Sequence, residues 1–407
     1  MTCAAAVALT PDVMTPSFLD EHARSVLSFY FPACIDPAGG FHQYFRPDGE
    51  PERSNRQRHL VGSARLTISF AVGARHFGEP GLLEAARHGV DFLRSAHFNP
   101  ATGGYAWILD NGQVRDGDNQ AYGIAFVLMA YARAAQAGVQ AARPLVAETF
   151  DFLERHFWED GASLYAETRS ADLQRLAPYR GQNANMHCCE ALIAAFEATG
   201  ERRYLDRATR IAHQLTVTLA QRTQGRIWEH YNAHWQQDFD YNKGDPNNKL
   251  RPWGYQPGHF TEWAKLLLQI HHHAPDAWLP ARAKDLFDQA MAMGFDAQHG
   301  GLYYGVAPDG SICSSGKYSW VQAETIAAAA ALAATLGDGM YWCVYRQLWS
   351  YVLTHMVDEH FKYWHRNLTR ENEVYVDPVA MGRTDYHSFC ACVDVSELLR
   401  RHPEAAA

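Results

Sequence analysis

The chain repeats one short pattern six times: a small or glycine-rich entry, an apolar anchor, alternating residues and often a turn. The clearest copy, 39–49, reads GGFHQYFRPDG, and the copies at 103–112 and 300–310 end in Asn-Gly and Asp-Gly. Alternation followed by such a dipeptide is the local signal of a β-hairpin. The anchors are 64, 59, 63, 75 and 62 residues apart, so one supersecondary unit is repeated. The anchors are Phe41, Tyr105, Leu164, Ile227, Leu302 and Trp364.

The residues between successive hairpins carry helical periodicity. Apolar side chains recur at i, i+3, i+4 and i+7 in two segments of each interval, which predicts a pair of α-helices per repeat. One helix of each pair is almost wholly apolar, with 326–332 as the extreme, whereas its partner is amphipathic. The predicted pairs are 60–76 with 79–96, 122–136 with 144–157, 185–199 with 203–219, 257–272 with 278–293, and 319–336 with 340–358.

This alternation of hairpins and helix pairs predicts an all-α fold, an (α/α)6 toroid whose short β-hairpins gather on one face. The apolar helix of each pair has to be buried on all sides, which suits the inner ring of two concentric rings. The alternative is an open helical solenoid. No linker-like stretch or charge run divides the chain, so we expect a single domain spanning 1–407.

Composition excludes several classes of partner. The 407 residues carry a formal net charge of −9 and no basic stripe, which argues against nucleic acid. No run of about 18 apolar residues lacks charges, so no membrane partner is predicted. The eight cysteines lack CxxC spacing and look like reduced thiols, which favours a cytoplasmic protein. We expect a monomer or a small homo-oligomer.

Polar residues recur in one phase of the repeat, close to the predicted start of each apolar helix. Residues in the same phase of a closed ring lie at similar height and point in similar directions. We therefore expect these side chains to converge at one mouth of the toroid. The six positions are Arg65, Tyr122, His187, His259, Glu324 and His387.

The three histidines of this set lie where a polar loop meets an apolar helix. The segments that lead into them are YRGQNANM before His187, RPWGYQPG before His259 and GRTDY before His387. Functional side chains concentrate on loops that a rigid scaffold positions. Glu262 lies three residues after His259, one turn along the same helix face, which makes it a candidate partner of that ring.

Several separated segments resemble the N-acylglucosamine 2-epimerase superfamily of sugar isomerases and epimerases. These segments are 179–190, 257–263, 320–324 and 385–387, and the resemblance extends from Phe41 to about Val393. The NANMH and DYH segments are most similar to the branch of D-mannose isomerases and sulfoquinovose isomerases. The resemblance implies an (α/α)6 barrel. Its motif positions fall on Arg65, Asn183, His187, His259, Glu262, Trp320, Glu324 and His387.

The resemblance implies an aldose–ketose isomerase that interconverts D-mannose and D-fructose, and also accepts D-lyxose, through a cis-enediol(ate) without a cofactor. Such a reaction needs a base near C2, an acid near the carbonyl oxygen and donors for the developing charge. Histidine suits both proton roles because its ordinary pKa of about 6.5 lies near neutral pH. We expect His259 and His387 to be the acid/base pair, Arg65 to hold the enediolate oxygens and Glu262 to orient His259.

The remaining candidates are expected to contact the monosaccharide. Those that would bind sugar hydroxyls or assist ring opening are Asn183, His187, Glu324 and Tyr122. Trp253 and Trp320 would stack on the apolar face of the sugar, with packing alone as the alternative role for either ring.

A metal-dependent mechanism is the first alternative. The three histidines together with Glu190, Glu262 and Glu324 are ligand types that suit Zn or Mn. The chain has no HExxH element, however, its one HxH match is the run at 271–273, and each histidine comes from a different repeat. We therefore predict no metal site and no cofactor.

Other sugar-directed functions also fit these residues. A 2-epimerase would use the same acid/base pair, and a sulfoquinovose isomerase would need extra donors, for which Arg383, Lys317 and Arg180 are candidates. A glycoside hydrolase on the same fold would need two carboxylates, one of them protonated. A non-catalytic sugar-binding protein would leave the paired histidines without a purpose.

Overall fold

The computed structural model describes residues 12–46, 48–375 and 382–403. Within these ranges the chain forms twelve α-helices, and those predicted from periodicity begin close to their expected starts. The helices expected to reach 96 and 219 end as α-helix at Phe92 and His213 and continue as short π-helices. Pro47, in the first predicted hairpin, lies outside the described residues. The helices are α1 (Pro16–Tyr30), α2 (Leu60–Phe77), α3 (Pro80–Phe92), α4 (Ala121–Gln136), α5 (Arg143–His156), α6 (Gln182–Thr199), α7 (Arg202–His213), α8 (Pro257–His273), α9 (Trp278–Gly294), α10 (Ser319–Leu336), α11 (Gly339–His355) and α12 (Tyr386–Arg401).

The helices form two concentric rings. The even-numbered helices make up the inner ring, in which each helix packs against the next and α12 packs against α2 to close the circle. Each odd-numbered helix packs outside on one inner helix. Helix α10 is buried at most of its positions, whereas α7 exposes a charged face, as their apolar and amphipathic sequences predicted. The (α/α)6 toroid is confirmed, and the open solenoid is wrong.

The sixth helix pair joins the two ends of the chain, because α1 packs on α12. Helix α1 begins after Thr15, whose hydroxyl accepts a hydrogen bond from the backbone N–H of Phe18, and Pro16 occupies its first position. The five helix pairs predicted from periodicity did not include α1, whereas α12 begins where the sequence placed His387 at the start of an apolar helix. The ring is therefore closed by contacts between residues far apart in sequence.

Short strands form part of the predicted hairpins, whereas the described residues of the copy at 39–49 have only isolated bridges, Phe41 with Ile35 and Phe45 with Pro51. All six anchors are at most 2% exposed. The β2–β3 hairpin turns at Asn111 and Gly112, whose φ angles of 51° and 73° suit a type I′ turn. Strands β1, β4, β8 and β12 run directly into inner helices, so the hairpins gather where the inner ring begins. The strands are β1 (Gln57–His59), β2 (Ile108–Asp110), β3 (Gln113–Asp116), β4 (Asn119–Gln120), β5 (Trp158–Glu159), β6 (Leu164–Tyr165), β7 (Thr168–Arg169), β8 (Arg180–Gly181), β9 (His230–Tyr231), β10 (Gly305–Val306), β11 (Ile312–Ser314), β12 (Lys317–Tyr318) and β13 (Asn367–Leu368).

Side-chain amides attach the hairpins to the inner helices. Asn185 of α6 accepts from the backbone N–H of Tyr165 at 2.7 Å and donates to its carbonyl at 2.9 Å. Gln322 of α10 makes the same pair of bonds with Leu302, both at 3.0 Å. Buried backbone groups need such partners. These bonds hold the face of the toroid on which the inner helices begin.

Two features of the described residues concern the predictions about a membrane partner and about reduced thiols. None of the helices they form is long and apolar enough to cross a membrane. The seven cysteines among them are free thiols, and the adjacent Cys188 and Cys189 are fully buried in α6 without a bridge.

Candidate active site

A cavity of about 340 Å³ opens where the inner helices begin. Its volume lies in the range of small-molecule sites, and its wall combines aromatic rings with a few polar groups, which is typical of such sites. The phase argument therefore located the mouth correctly. Eight of the ten predicted site residues line the cavity: Arg65, Tyr122, Asn183, His187, His259, Glu262, Trp320 and His387.

The ring of His259 is held by a carboxylate that the sequence did not predict. Both oxygens of Glu229 lie 3.0 Å from Nδ1 of His259. Nε2 of Gln182 also lies 2.9 Å from this nitrogen, but the two carboxylate oxygens can only accept and favour a proton on Nδ1. Gln182 supports the pair by donating to Glu229 Oε2 at 2.9 Å, and its amide is oriented by a 2.8 Å bond from Trp263 Nε1. His259 therefore presents Nε2 as its exchangeable nitrogen.

The expected pairing of Glu262 with His259 is wrong. The side chain of Glu262 points toward α6 instead, and its Oε1 lies 3.9 Å from Nδ1 of His187. Its side chain is 1% exposed, and neither oxygen has a hydrogen-bond partner in the described structure. Burial and the nearby charge of Glu324 raise the pKa of Glu262 well above its ordinary value. Both effects favour the protonated form of Glu262, which has an O–H to donate at the cavity wall.

His387 is held in the same manner as His259. Its Nδ1 lies 2.7 Å from Oε1 of Glu324, and the other oxygen of Glu324 is paired with the ammonium of Lys265. Burial lowers the pKa of His387, which keeps the imidazole neutral at neutral pH. The predicted contact of Glu324 with sugar hydroxyls is wrong, because both of its oxygens are engaged by protein groups behind the cavity wall.

The third histidine is the most strongly desolvated. Nδ1 of His187 lies 2.9 Å from Oε2 of Glu190, whose Oε1 accepts from the hydroxyl of Tyr386 at 2.9 Å. Burial lowers the pKa of His187 to about 4. His187 is therefore a neutral ring that suits hydrogen bonding to a hydroxyl better than proton transfer.

Arg65 of α2 extends its guanidinium group into the cavity wall. Nη2 of Arg65 donates to the hydroxyl of Tyr122 at 3.1 Å, and the group lies 4.4 Å from the centre of the Phe126 ring. Nε of Arg65 is buried without a partner in the described structure. Arg65 can therefore supply positive charge and a donor to an anionic oxygen in the cavity.

The two predicted tryptophans have different surroundings. The ring of Trp320 lies 5.1 Å from that of His259 and 5.9 Å from that of His387, so it forms the wall between the two histidines. Trp253 lies outside the cavity wall, because its indole N–H donates to Phe239 O at 2.7 Å and its ring packs near Trp228. The stacking role predicted for Trp253 is wrong.

Asn183 is placed to receive a polar group. It lies in the first turn of α6 and lines the cavity. Its Oδ1 is buried and has no partner among the described residues. A buried acceptor without a partner has a free-energy cost that a substrate hydroxyl would remove.

Among the described residues, two groups of side chains have the ligand types and spacing to hold a cation: His187 with Glu190 and Glu262, and Glu262 with Glu324 and His387. In each group Nδ1 of the histidine is already bonded to a glutamate. The buried ammonium of Lys265 beside Glu324 would also repel a divalent ion. These side chains therefore fit a proton network better than a metal site.

The chain was compared with known proteins. A family model described as N-acylglucosamine 2-epimerase (GlcNAc 2-epimerase) matches residues 39–391. A D-mannose isomerase from Marinomonas mediterranea is 45% identical over 391 residues, which are 96% of this chain and 99% of that protein. Most of both chains is therefore homologous.

Solved structures agree with this relationship. A crystal structure of D-mannose isomerase has a TM-score of 0.92 at 44% identity and covers 96% of this chain and 100% of its own. The cellobiose 2-epimerase from Spirochaeta thermophila has a TM-score of 0.84 at 21% identity and covers 98% of this chain and 100% of its own, a likeness in fold alone. The chain belongs to the N-acylglucosamine 2-epimerase family.

Proposed function

We propose that this protein is an aldose–ketose isomerase that interconverts D-mannose and D-fructose, with residues 1–407 acting as one catalytic domain. The observation that carries the proposal is a pair of histidines in one cavity wall, each with Nδ1 held by a glutamate. The relative from Marinomonas mediterranea, 45% identical, is a D-mannose isomerase. The sugar class rests on that relative, and the chemistry rests on the site.

His387 suits the role of the base. Once the sugar ring opens, the proton on C2 becomes acidic because the C1 carbonyl can accept the charge as an enediolate. The neutral imidazole of His387 takes this proton on Nε2 and returns it to C1. Glu324 accepts from Nδ1 and stabilises the imidazolium while it exists.

Two groups stabilise the negative charge that develops on the enediolate oxygens. The guanidinium of Arg65 donates to the enediolate oxygens. The protonated Glu262 donates an O–H at the same wall, which a carboxylate could not do. His259, on the other side of Trp320, exchanges protons with the sugar oxygens, and Glu229 stabilises its charged form.

The three cations considered for a sulfonate each have an acidic partner in the structure. Of the three cations considered for a sulfonate, Lys317 is buried against Asp296 at 3.0 Å and Arg180 is paired with Glu159. Arg383 lines the cavity but is bonded to Asp385 at 3.0 Å. D-lyxose, which lacks only the C6 group of D-mannose, would fill the same positions.

The carboxylates do not suit glycoside hydrolysis. That reaction needs a protonated acid and a second carboxylate that acts on the sugar or on water. Glu262 is protonated, but both oxygens of its neighbour Glu324 are engaged by His387 and Lys265. Proton transfer by histidine accounts for the site more completely.

The test is to mix the purified protein with D-mannose and to follow the products by ¹³C NMR. The proposal expects D-fructose, and expects D-xylulose from D-lyxose. Formation of D-glucose without fructose would instead identify a 2-epimerase, which uses the same groups but returns the proton to C2. Absence of any conversion of either sugar would overturn the proposal.

A further inference from the structure

Lys265 is a buried ammonium behind the cavity. It lies on α8, one turn after Glu262, and is 6% exposed. Four carboxyl groups from four inner helices surround it: Glu190 of α6, Glu262 of α8, Glu324 of α10 and Asp394 of α12. A buried Lys is retained only where such partners compensate its desolvation.

Glu324 divides its two oxygens between two partners. Oε2 pairs with Nζ of Lys265, and Oε1 lies 2.7 Å from Nδ1 of His387. Lys265, Glu324 and His387 therefore form a continuous chain of hydrogen bonds from α8 through α10 to α12. Lys265 is not among the residues that line the cavity, and His387 is.

We propose that Lys265 is a positioning residue of the isomerase: its ammonium keeps Glu324 ionised and oriented, so that His387 retains the Nδ1–H tautomer and offers Nε2 to the sugar. This inference rests on the proposed function for its kinetic consequence only. The tautomer of His387 is a property of the protein without substrate.

The charges around Glu324 explain why an ammonium is needed there. Glu324 is buried, and burial and the nearby charge of Glu190 favour its protonated form. Lys265 and His387 oppose this effect and hold the pKa of Glu324 below its ordinary value. The pKa of Glu262 is raised instead, so the proton shared by these carboxylates resides on Glu262.

Loss of the Lys265 ammonium would shift the shared proton from Glu262 to Glu324. Without Lys265 the pKa of Glu324 rises, and a protonated Glu324 donates to Nδ1 of His387 where it had accepted. His387 would then carry its proton on Nε2 and could not act as a base from that atom. The other groups that act on His387 are Arg65, Glu190 and His187, and they remain in place.

The kinetic test uses Lys265→Met, Lys265→Arg and a matched control. Lys317→Met removes another buried ammonium, one that pairs with Asp296 at 3.0 Å and lies outside the cavity wall. For Lys265→Met we expect the acid limb of kcat/KM against pH to move up by about one unit or more, a loss of about tenfold on that limb, with KM little changed. Lys265→Arg should return the acid limb of kcat/KM to its wild-type pH. Lys317→Met should lower thermal stability and leave the acid limb at its wild-type pH.

The second readout is the ¹⁵N NMR spectrum of the histidine side chains without sugar, assigned with His387→Gln. Wild type should show Nδ1–H at His387, and Lys265→Met should show Nε2–H. If Lys265→Met does not fold, Lys265→Gln provides the same uncharged test. An unchanged tautomer together with an unchanged acid limb in an uncharged variant overturns the inference. A wild-type protein that does not isomerise mannose overturns the proposed function and leaves the tautomer test intact.

Discussion

Both carboxylate oxygens of Glu229 lie 3.0 Å from Nδ1 of His259, 30 residues further along the chain. The hairpin that carries Glu229 thus orients a ring at the start of α8. The same relation recurs between Glu324 and His387 and between Glu190 and His187. Each of these three histidines therefore has its proton on Nδ1 and presents Nε2 to the cavity.

Replacing Glu229 by Gln tests this relation. The amide can turn its NH₂ toward Nδ1 of His259, which would move the ring proton to Nε2. We expect kcat to fall by about 100-fold, the scale of a general acid/base contribution. Steady-state kinetics would show it, with Glu201→Gln, an exposed carboxylate, as the control. A variant that keeps more than half of the wild-type turnover would show that the carboxylate does not set the tautomer.

The histidine pair itself is tested by His259→Ala and His387→Ala. Each should lower turnover by about two or more orders of magnitude, since each removes a proton-transfer group. His272→Ala, at an exposed position near the end of α8, should leave turnover unchanged. Circular dichroism would check that all three variants fold. A variant of either cavity histidine that keeps a tenth of the wild-type rate would remove that residue from the mechanism.

The sequence predicted the mouth of the cavity because the hairpins fix where each inner helix begins. Arg65, Tyr122, His187, His259 and His387 occupy equivalent positions in the repeat, and all of them line the cavity. Equivalent positions in a closed ring meet at its axis, and the exception is the sixth position, Glu324, which lies behind the cavity wall.

The residues that the sequence did not predict act through contacts between repeats. Glu229 ends a hairpin copy, and nothing in its local sequence shows that it faces His259 and not solvent. Glu262 looked like the natural partner by spacing, but the rotation of α8 turns it toward His187. Lys265 lies within an apolar helix, where only the three-dimensional neighbours explain a charge.

A pH-dependent contact joins α2 to α1 and α12, where the ring of helices closes. His76 of α2 lies 2.9 Å from Asp20 of α1 and 3.4 Å from Glu397 of α12. The hydrogen bond to Glu397 raises the pKa of His76, against the opposing effect of burial. A raised folded-state pKa stabilises the fold fully below the ordinary value of about 6.5, and this contribution is lost as pH rises through the folded-state pKa.

Denaturant unfolding of wild type and His76→Gln would measure that contribution. The difference in unfolding free energy should be larger at about pH 5.5 than at about pH 8.5, since His76 is charged only at the lower pH. His234→Gln, at an exposed position, should show no such difference. An equal difference at both values would mean that His76 contributes packing and not charge.

Removal of metal ions with a chelator tests the alternative of a metal-dependent mechanism. Activity should survive exhaustive dialysis against EDTA, because Arg65 and Glu262 supply the positive charge and the donor that an enediolate requires. Assays before and after dialysis, with and without added Mn²⁺ or Zn²⁺, would check it. Loss of activity that either ion restores would assign a metal to the clusters around Glu262.

The last prediction concerns the path of the transferred hydrogen. A proton taken from C2 by His387 resides on a nitrogen that can exchange with water before delivery to C1. Reaction in D₂O should therefore place deuterium at C1 of the fructose formed and at C2 of mannose recovered from it, as read by NMR. Partial label still fits, because a shielded base exchanges slowly. A direct hydride shift between the carbons would leave the product unlabelled over many turnovers, and together with a metal requirement this result would reject the histidine mechanism. Deuterium at C2 of glucose would instead identify epimerisation, so one spectrum separates the two reactions that this site can support.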